Sequence, residues 1–148
     1  MRLLLDTNIL IDFYTQREPF GQDARKLAIM GTFGDAELWV SAKSFTDIFY
    51  VLSKDNAADS IYRAFAESYR YFQFCSVEGA DVQMATDRAW PDFEDCLIAI
   101  CAEKIKADYL LTRDKTGFAA SSIPPISPAA FFQMVERDYN LIYDEVPF

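Results

Sequence analysis

The sequence predicts one α/β domain spanning residues 1–148, with a mainly parallel β-sheet flanked by helices. Three observations lead there. Short apolar runs alternate with stretches whose apolar residues recur at helical spacing. Gly and Pro number only 5 and 6, so most of the chain should be regular structure. The 148 residues are 51% hydrophobic and 16% aromatic, which is enough for a real core and excludes disorder.

Leu3-Leu4-Leu5 reads as a buried strand. It runs into Asp6-Thr7-Asn8, a helix start, and Ile9, Leu10, Phe13 and Tyr14 continue at helical spacing. A second helix is expected over 20–32, stopped near Gly31 and Gly34. Glu37–Ser41 is the second strand. Phe45, Ile48, Phe49 and Leu52 then recur at i, i+3, i+4 and i+7, which predicts an amphipathic helix over 43–54. Another helix fills 57–71, with Ile61, Phe65, Tyr69 and Phe72 on one side. Phe72–Val77 gives a third strand, and a short helix follows at 79–88. Pro91 introduces a helix that is apolar all round from Cys96 to Ala102, so it should be buried on most sides. Tyr109–Thr112 is the fourth strand. Pro125-Ile126-Ser127 is a short last one, and a helix begins at Pro128.

Composition excludes whole classes of chemistry. There is no His, so a His triad, a His general base and His-ligated zinc are all ruled out. Fourteen Lys+Arg against 23 Asp+Glu give a net charge of −9, unlike a protein that coats nucleic acid with a broad basic face. Cys75, Cys96 and Cys101 are odd in number with no C-x-x-C, and read as reduced core residues of a cytosolic protein. Asp6 ends the opening apolar run too early for a signal peptide, and no stretch suits a membrane helix. A soluble, cytoplasmic protein is expected.

Four acids stand where an α/β sheet gathers its functional groups, at the C-terminal ends of strands. Asp6 follows the first strand and Asp114 closes the fourth. Asp95 opens the most buried helix, and Asp47 lies in the helix after the second strand. Each also has an ordinary reading. Asp6 is a good N-cap, and Asp92 with Asp95 resembles a capping box. Asp114 precedes a plausible Lys115-Thr116-Gly117 turn, and Asp47 has Lys43 one helical turn before it. Carboxylates converging without a cation would repel each other and raise their own pKa values. A hard divalent ion, Mg²⁺ or Mn²⁺, removes that conflict. On a helical wheel Glu94 points away from the Asp92–Asp95 face.

Four segments together resemble the PIN domain, and most closely the VapC-type toxins of toxin–antitoxin pairs. They are Leu4–Asp12 with its D-T-N start, Ser41–Leu52, Asp92–Ala102, and Leu110–Phe118. The resemblance covers residues 4–118 and extends to the Pro125–Pro128 ending. It implies a three-layer sandwich and an endoribonuclease requiring Mg²⁺ or Mn²⁺. By the same resemblance Asp6, Asp95 and Asp114 hold the metal and Asp47 completes the acidic set. Asn8, Asp92 and Thr112 are supporting or substrate-contacting positions. Water activated by metal and carboxylate attacks the phosphodiester in line, with no covalent enzyme intermediate. The implied partners are an RNA substrate, a second copy of the chain, and a DNA-binding antitoxin with an inhibitory tail. The chain departs from the family in one place, for the second acid is usually Glu and here is Asp47.

Other readings stand beside this one. A PIN nuclease of RNA maturation, without an antitoxin, shares every motif. A non-catalytic binding module draws only on the Asp47 departure. A haloacid-dehalogenase-type phosphatase would need an acid where Asn8 stands. A response-regulator receiver would need paired acids after the first strand. Trp39, Trp90 and the Phe and Tyr residues suit core packing or a partner face better than base stacking, since most fall at apolar-periodic positions. Lys43, Arg113 and Lys115 flank the acidic motifs and are the better phosphate contacts, unless they pair with nearby acids.

Overall fold

A computed structural model of the chain describes residues 1–143. Five strands form one sheet in the order β3-β2-β1-β4-β5, with every neighbouring pair parallel. They are β1 (Arg2–Leu5), β2 (Glu37–Ser41), β3 (Phe72–Cys75), β4 (Tyr109–Leu111) and β5 (Pro125–Ile126). The helices are α1 (Thr7–Thr15), α2 (Phe20–Thr32), α3 (Ser44–Leu52), α4 (Ala58–Ser68), α5 (Gly79–Arg88), α6 (Phe93–Lys104) and α7 (Pro128–Tyr139). A 3₁₀ turn covers Thr116–Phe118 where the sequence suggested a turn.

Alternation along β1 divides the molecule into three layers. Leu3 and Leu5 join the core built with Ile9 and Leu10 of α1, Leu27 of α2, Ile48 of α3, Ile61 of α4 and Phe131 of α7. Leu4 faces the other way, into a core with Ile98, Ala99 and Ala102 of α6. Residues 96–102 are all buried, as the all-round apolar stretch predicted. The three cysteines are free and buried.

Element ends shift by a few residues from expectation, chiefly at caps. The helix after Pro91 starts at Phe93, because Asp92 is its N-cap with extended backbone and accepts the Asp95 N–H. Strand β3 stops at Cys75, short of Val77, and strand β4 at Leu111, short of Thr112.

Register places the site. Leu5 of β1 lies opposite Leu111 of β4, so the residues after them emerge side by side. The chain leaves β1 for β2 on one side, while β4 flanks β1 on the other. The gap above β1 and β4 is therefore the switch point at which open parallel sheets bind ligands.

Candidate active site

Asp6 is 5% exposed and both its oxygens are occupied. Oδ1 accepts the Thr7 N–H at 2.7 Å, and Oδ2 accepts the Thr112 hydroxyl at 2.8 Å. The Thr112 Oγ1 in turn accepts the Asp114 N–H at 2.9 Å. One fully buried threonine thus ties the end of β4 to the acid at the end of β1. Capping and site-building coincide at Asp6, and at Asp92, whose Oδ1 accepts the Asp95 N–H at 2.9 Å.

Asp95 and Asp114 meet at a glycine. A Cβ at Gly117 would stand 2.8 Å from Asp95 Oδ2 and 2.7 Å from Asp114 Oδ2, closer than a real Cβ approaches such atoms. The missing side chain leaves room for two carboxylate oxygens to converge on one point. Asp114 also accepts the Gly117 N–H through Oδ1 at 3.0 Å, which fixes the turn.

The electrostatics are those of acids crowded together. Burial raises the Asp6 carboxyl to about 6, against the lowering effect of the Thr112 and Thr7 hydrogen bonds, and Glu94 and Asp114 push the same way as burial. Asp95 rises to about 7, first from burial and then from the charges of Asp92, Asp6, Glu94 and Asp114. It does so at the start of a helix, whose positive end favours an anion. Desolvation and like charge prevail over the helix there.

A stability consequence follows for the metal-free protein. Both carboxyls hold protons more tightly folded than unfolded, so stability is fully present near pH 4 and is lost as pH rises through about 6 to 7. The acids held low, Glu37, Asp81, Glu103 and Asp138, act in the opposite sense, at lower pH. Melting in chelator is expected to fall between pH 5 and pH 7.5. The double variant Asp6→Asn/Asp95→Asn should flatten that slope, and an unchanged slope would contradict this assignment.

Glu94 turns toward the start of α1 and does not share the point at Gly117 where Asp95 and Asp114 meet. Its Oε1 accepts the Thr7 hydroxyl at 3.0 Å, and the same hydroxyl lies 2.8 Å from the buried Ser44 Oγ. The Asp47 carboxylate pairs with Lys43 at 2.6 Å on the half-exposed face of α3. Asn8 has a buried side-chain oxygen, Oδ1, with no hydrogen-bond partner.

Of the three basic residues flanking the motifs, two are committed. Lys43 holds Asp47. Arg113 holds Asp12, at 2.8 Å through Nε and 3.3 Å through Nη2, and lies 4.2 Å over the Phe20 ring. Asp12 is 1% exposed and also takes Arg17 at 3.3 Å, so it is a buried anchor for the residue preceding Asp114. Lys115 forms no ion pair among the described residues.

An all-oxygen set with two converging carboxylates fits a hard divalent cation. Among the described residues no three His, Cys, Asp or Glu side chains stand as a closed metal cage. Mg²⁺ ordinarily takes one or two carboxylates from a protein and fills its shell with water and substrate phosphate.

The fold and the acids define a class: a parallel α/β domain that gathers carboxylates at the switch point of its sheet. The profile of the PIN domain matches residues 2–116, and the chain belongs to that family. Its fold is similar to a crystal structure of VapBC2 from Rickettsia felis bound to a promoter DNA fragment, with TM-score 0.62 and 14% identity over 86% of this chain and 98% of that one. It is also similar to a toxin–antitoxin complex from Klebsiella pneumoniae, with TM-score 0.60 and 20% identity over 85% and 97%. A third similar structure is FitAB bound to a DNA fragment, with TM-score 0.55 and 15% identity over 85% and 94%. At these identities the likeness is one of fold. No curated protein sequence matches the chain. No helix among the described residues is long and apolar enough to cross a membrane.

Proposed function

We propose that the protein is a divalent-metal-dependent endoribonuclease and the toxin half of a type II toxin–antitoxin pair. The observation that carries the nuclease reading is the convergence of Asp95 Oδ2 and Asp114 Oδ2 on the space left by Gly117, beside buried Asp6. Membership of the PIN family supports it, and the toxin role draws on the similar folds found in toxin–antitoxin structures.

Asp6, Asp95 and Asp114 would hold Mg²⁺ or Mn²⁺. The bound ion would supply charge neutralisation at the phosphate and make water a better nucleophile. Thr112 holds the Asp6 carboxylate in place and the Asp114 backbone beside it. With no His in the chain, the proton of the attacking water goes to a carboxylate or to solvent. Asp47 completes the acidic set once its pair with Lys43 opens, a step that costs about 0–1 kcal/mol for a half-exposed pair. Glu94 adds charge across Thr7. Asn8 and Lys115 are left for substrate contacts.

The acidic pocket also suits an inhibitor. A basic side chain from an antitoxin tail would neutralise the same carboxylates that otherwise take a cation. The cytoplasm as its location and a homodimer as its assembly belong to this reading. Incubation of single-stranded RNA with the purified chain should give cleavage in Mn²⁺ or Mg²⁺ and none in chelator. Equal cleavage in both would overturn the metal requirement.

A further inference from the structure

A cavity of about 600 Å³ opens beside the acids, within the size range of small-molecule sites. Asp92, Asp95 and Asp114 line one part of it, and Ala89, Trp90, Pro91, Ala119 and Ala120 another. An apolar shelf therefore lies directly against the carboxylates.

The shelf is held rigidly. Trp90 is half-buried, packs against the cores around α5 and α6, and meets Phe118 edge-on at 6.4 Å between ring centroids and 74° between planes. Pro91 restricts the Trp90 backbone to extended conformations. Ala89 turns the chain out of α5 at φ 51°, a left-handed conformation that costs energy for a residue with a Cβ. Arg88, just before it, holds Glu103 of α6 through two bonds at 2.8 and 2.9 Å. A tryptophan fixed in this way loses little freedom when a flat ligand covers it.

The ligand chemistry follows from charge. The three acids on the rim suit a cation and admit a phosphate only beside one, so the uncharged Trp90 side of the cavity is left for a neutral group of the same substrate. An unpaired nucleobase is flat and neutral, with N–H donors at its edge. Asp92 spends Oδ1 on the Asp95 N–H, and its Oδ2 makes no hydrogen bond among the described residues, so it is available to such a donor. We infer that the Trp90 shelf receives an unpaired base of single-stranded RNA next to the phosphate being cleaved, and so sets substrate choice. This inference rests on the ribonuclease reading.

The test uses Trp39→Phe protein, in which Trp90 is the remaining tryptophan and reports by fluorescence. The probes are a phosphorothioate-linked single-stranded oligoribonucleotide, its deoxy counterpart, and an abasic ribose-phosphate strand of the same length. The oligoribonucleotide should quench Trp90 and bind more tightly than the deoxy strand, while the abasic strand gives no quench. In otherwise wild-type protein, Trp90→Ala should weaken RNA binding by about tenfold or more, and Trp90→Phe should retain most of it. The Mn²⁺-induced rise in melting temperature should survive in both variants. Equal quenching by the abasic strand overturns the proposal, as does unchanged RNA binding in folded Trp90→Ala. Equal or tighter binding of the deoxy strand overturns the assignment to RNA. Base-dependent quenching without hydrolysis leaves the shelf standing and removes the nuclease reading. Hydrolysis without base dependence does the reverse. No RNA binding at all removes both.

Discussion

Gly117→Ala is expected to lower metal-dependent RNA cleavage by more than about 100-fold while leaving the fold intact. Groups one shell out from a metal already cost about 10–100-fold when changed, and this methyl intrudes between the carboxylates themselves. A Cβ there meets Asp114 Oδ2 at 2.7 Å and Asp95 Oδ2 at 2.8 Å, so one or both must move away. The backbone at Gly117 is not in the left-handed region, so alanine fits the 3₁₀ turn itself. The loss should therefore appear in cleavage and in the Mn²⁺-induced rise of the melting temperature. The metal-free melting temperature should change little. Wild-type cleavage by Gly117→Ala would show that the two carboxylates do not act through their shared space.

Asp95→Asn should show two effects of opposite sign. The carboxyl is raised to about 7 by burial and by four neighbouring acids, so its charge destabilises the metal-free fold above that pH. The neutral amide removes the repulsion and should raise the melting temperature in chelator at pH 8. The same change removes a proposed metal ligand, so it should lower cleavage by more than about 100-fold and shrink the stabilisation by Mn²⁺. Calorimetry with and without metal measures both. A residue needed only for packing would lower the metal-free melting temperature, and that result would contradict the role given to Asp95.

Much of this site was legible because acids at strand ends obey local rules. Asp6, Asp114 and Thr112 follow strands whose apolar runs are plain in the sequence, and parallel register then sets them together. Asp95 was legible from its place at the head of the helix that is apolar all round. The Lys43–Asp47 pair was readable from its i, i+4 spacing alone.

What stayed hidden depends on distance along the chain. Asp12 is buried beneath a second arginine, Arg113, which comes from 101 residues away and folds back onto it over Phe20. No local pattern announces that, and it removes Arg113 from the phosphate contacts the sequence suggested. Glu94 comes close to the acids through the Thr7 hydroxyl of another helix, a contact that no helical wheel of α6 contains. Gly117 looked like turn punctuation, and its use appears only when two carboxylates from different elements approach it. Trp90 reads as a core residue by its flanking pattern, and it is half core and half cavity wall.

The charge of −9 also divides into parts. The acids at the switch point repel each other, and on the proposed reading a bound cation would invert the local sign there and draw in phosphate. Asp12 and Asp81 are buried against basic partners, and most of the rest lies over the surface, which should keep non-specific RNA affinity weak and suits the proposed selective nuclease with few phosphate contacts.

The most direct test of the central claim is cleavage of single-stranded RNA in Mn²⁺ by the wild-type chain and by Asp6→Asn, with the ends of the products identified. Wild type should cut the RNA by hydrolysis, leaving no 2′,3′-cyclic phosphate, and Asp6→Asn should leave the RNA intact. Equal cleavage by the two, or cyclic phosphate ends, would contradict a hydrolytic site built on these carboxylates.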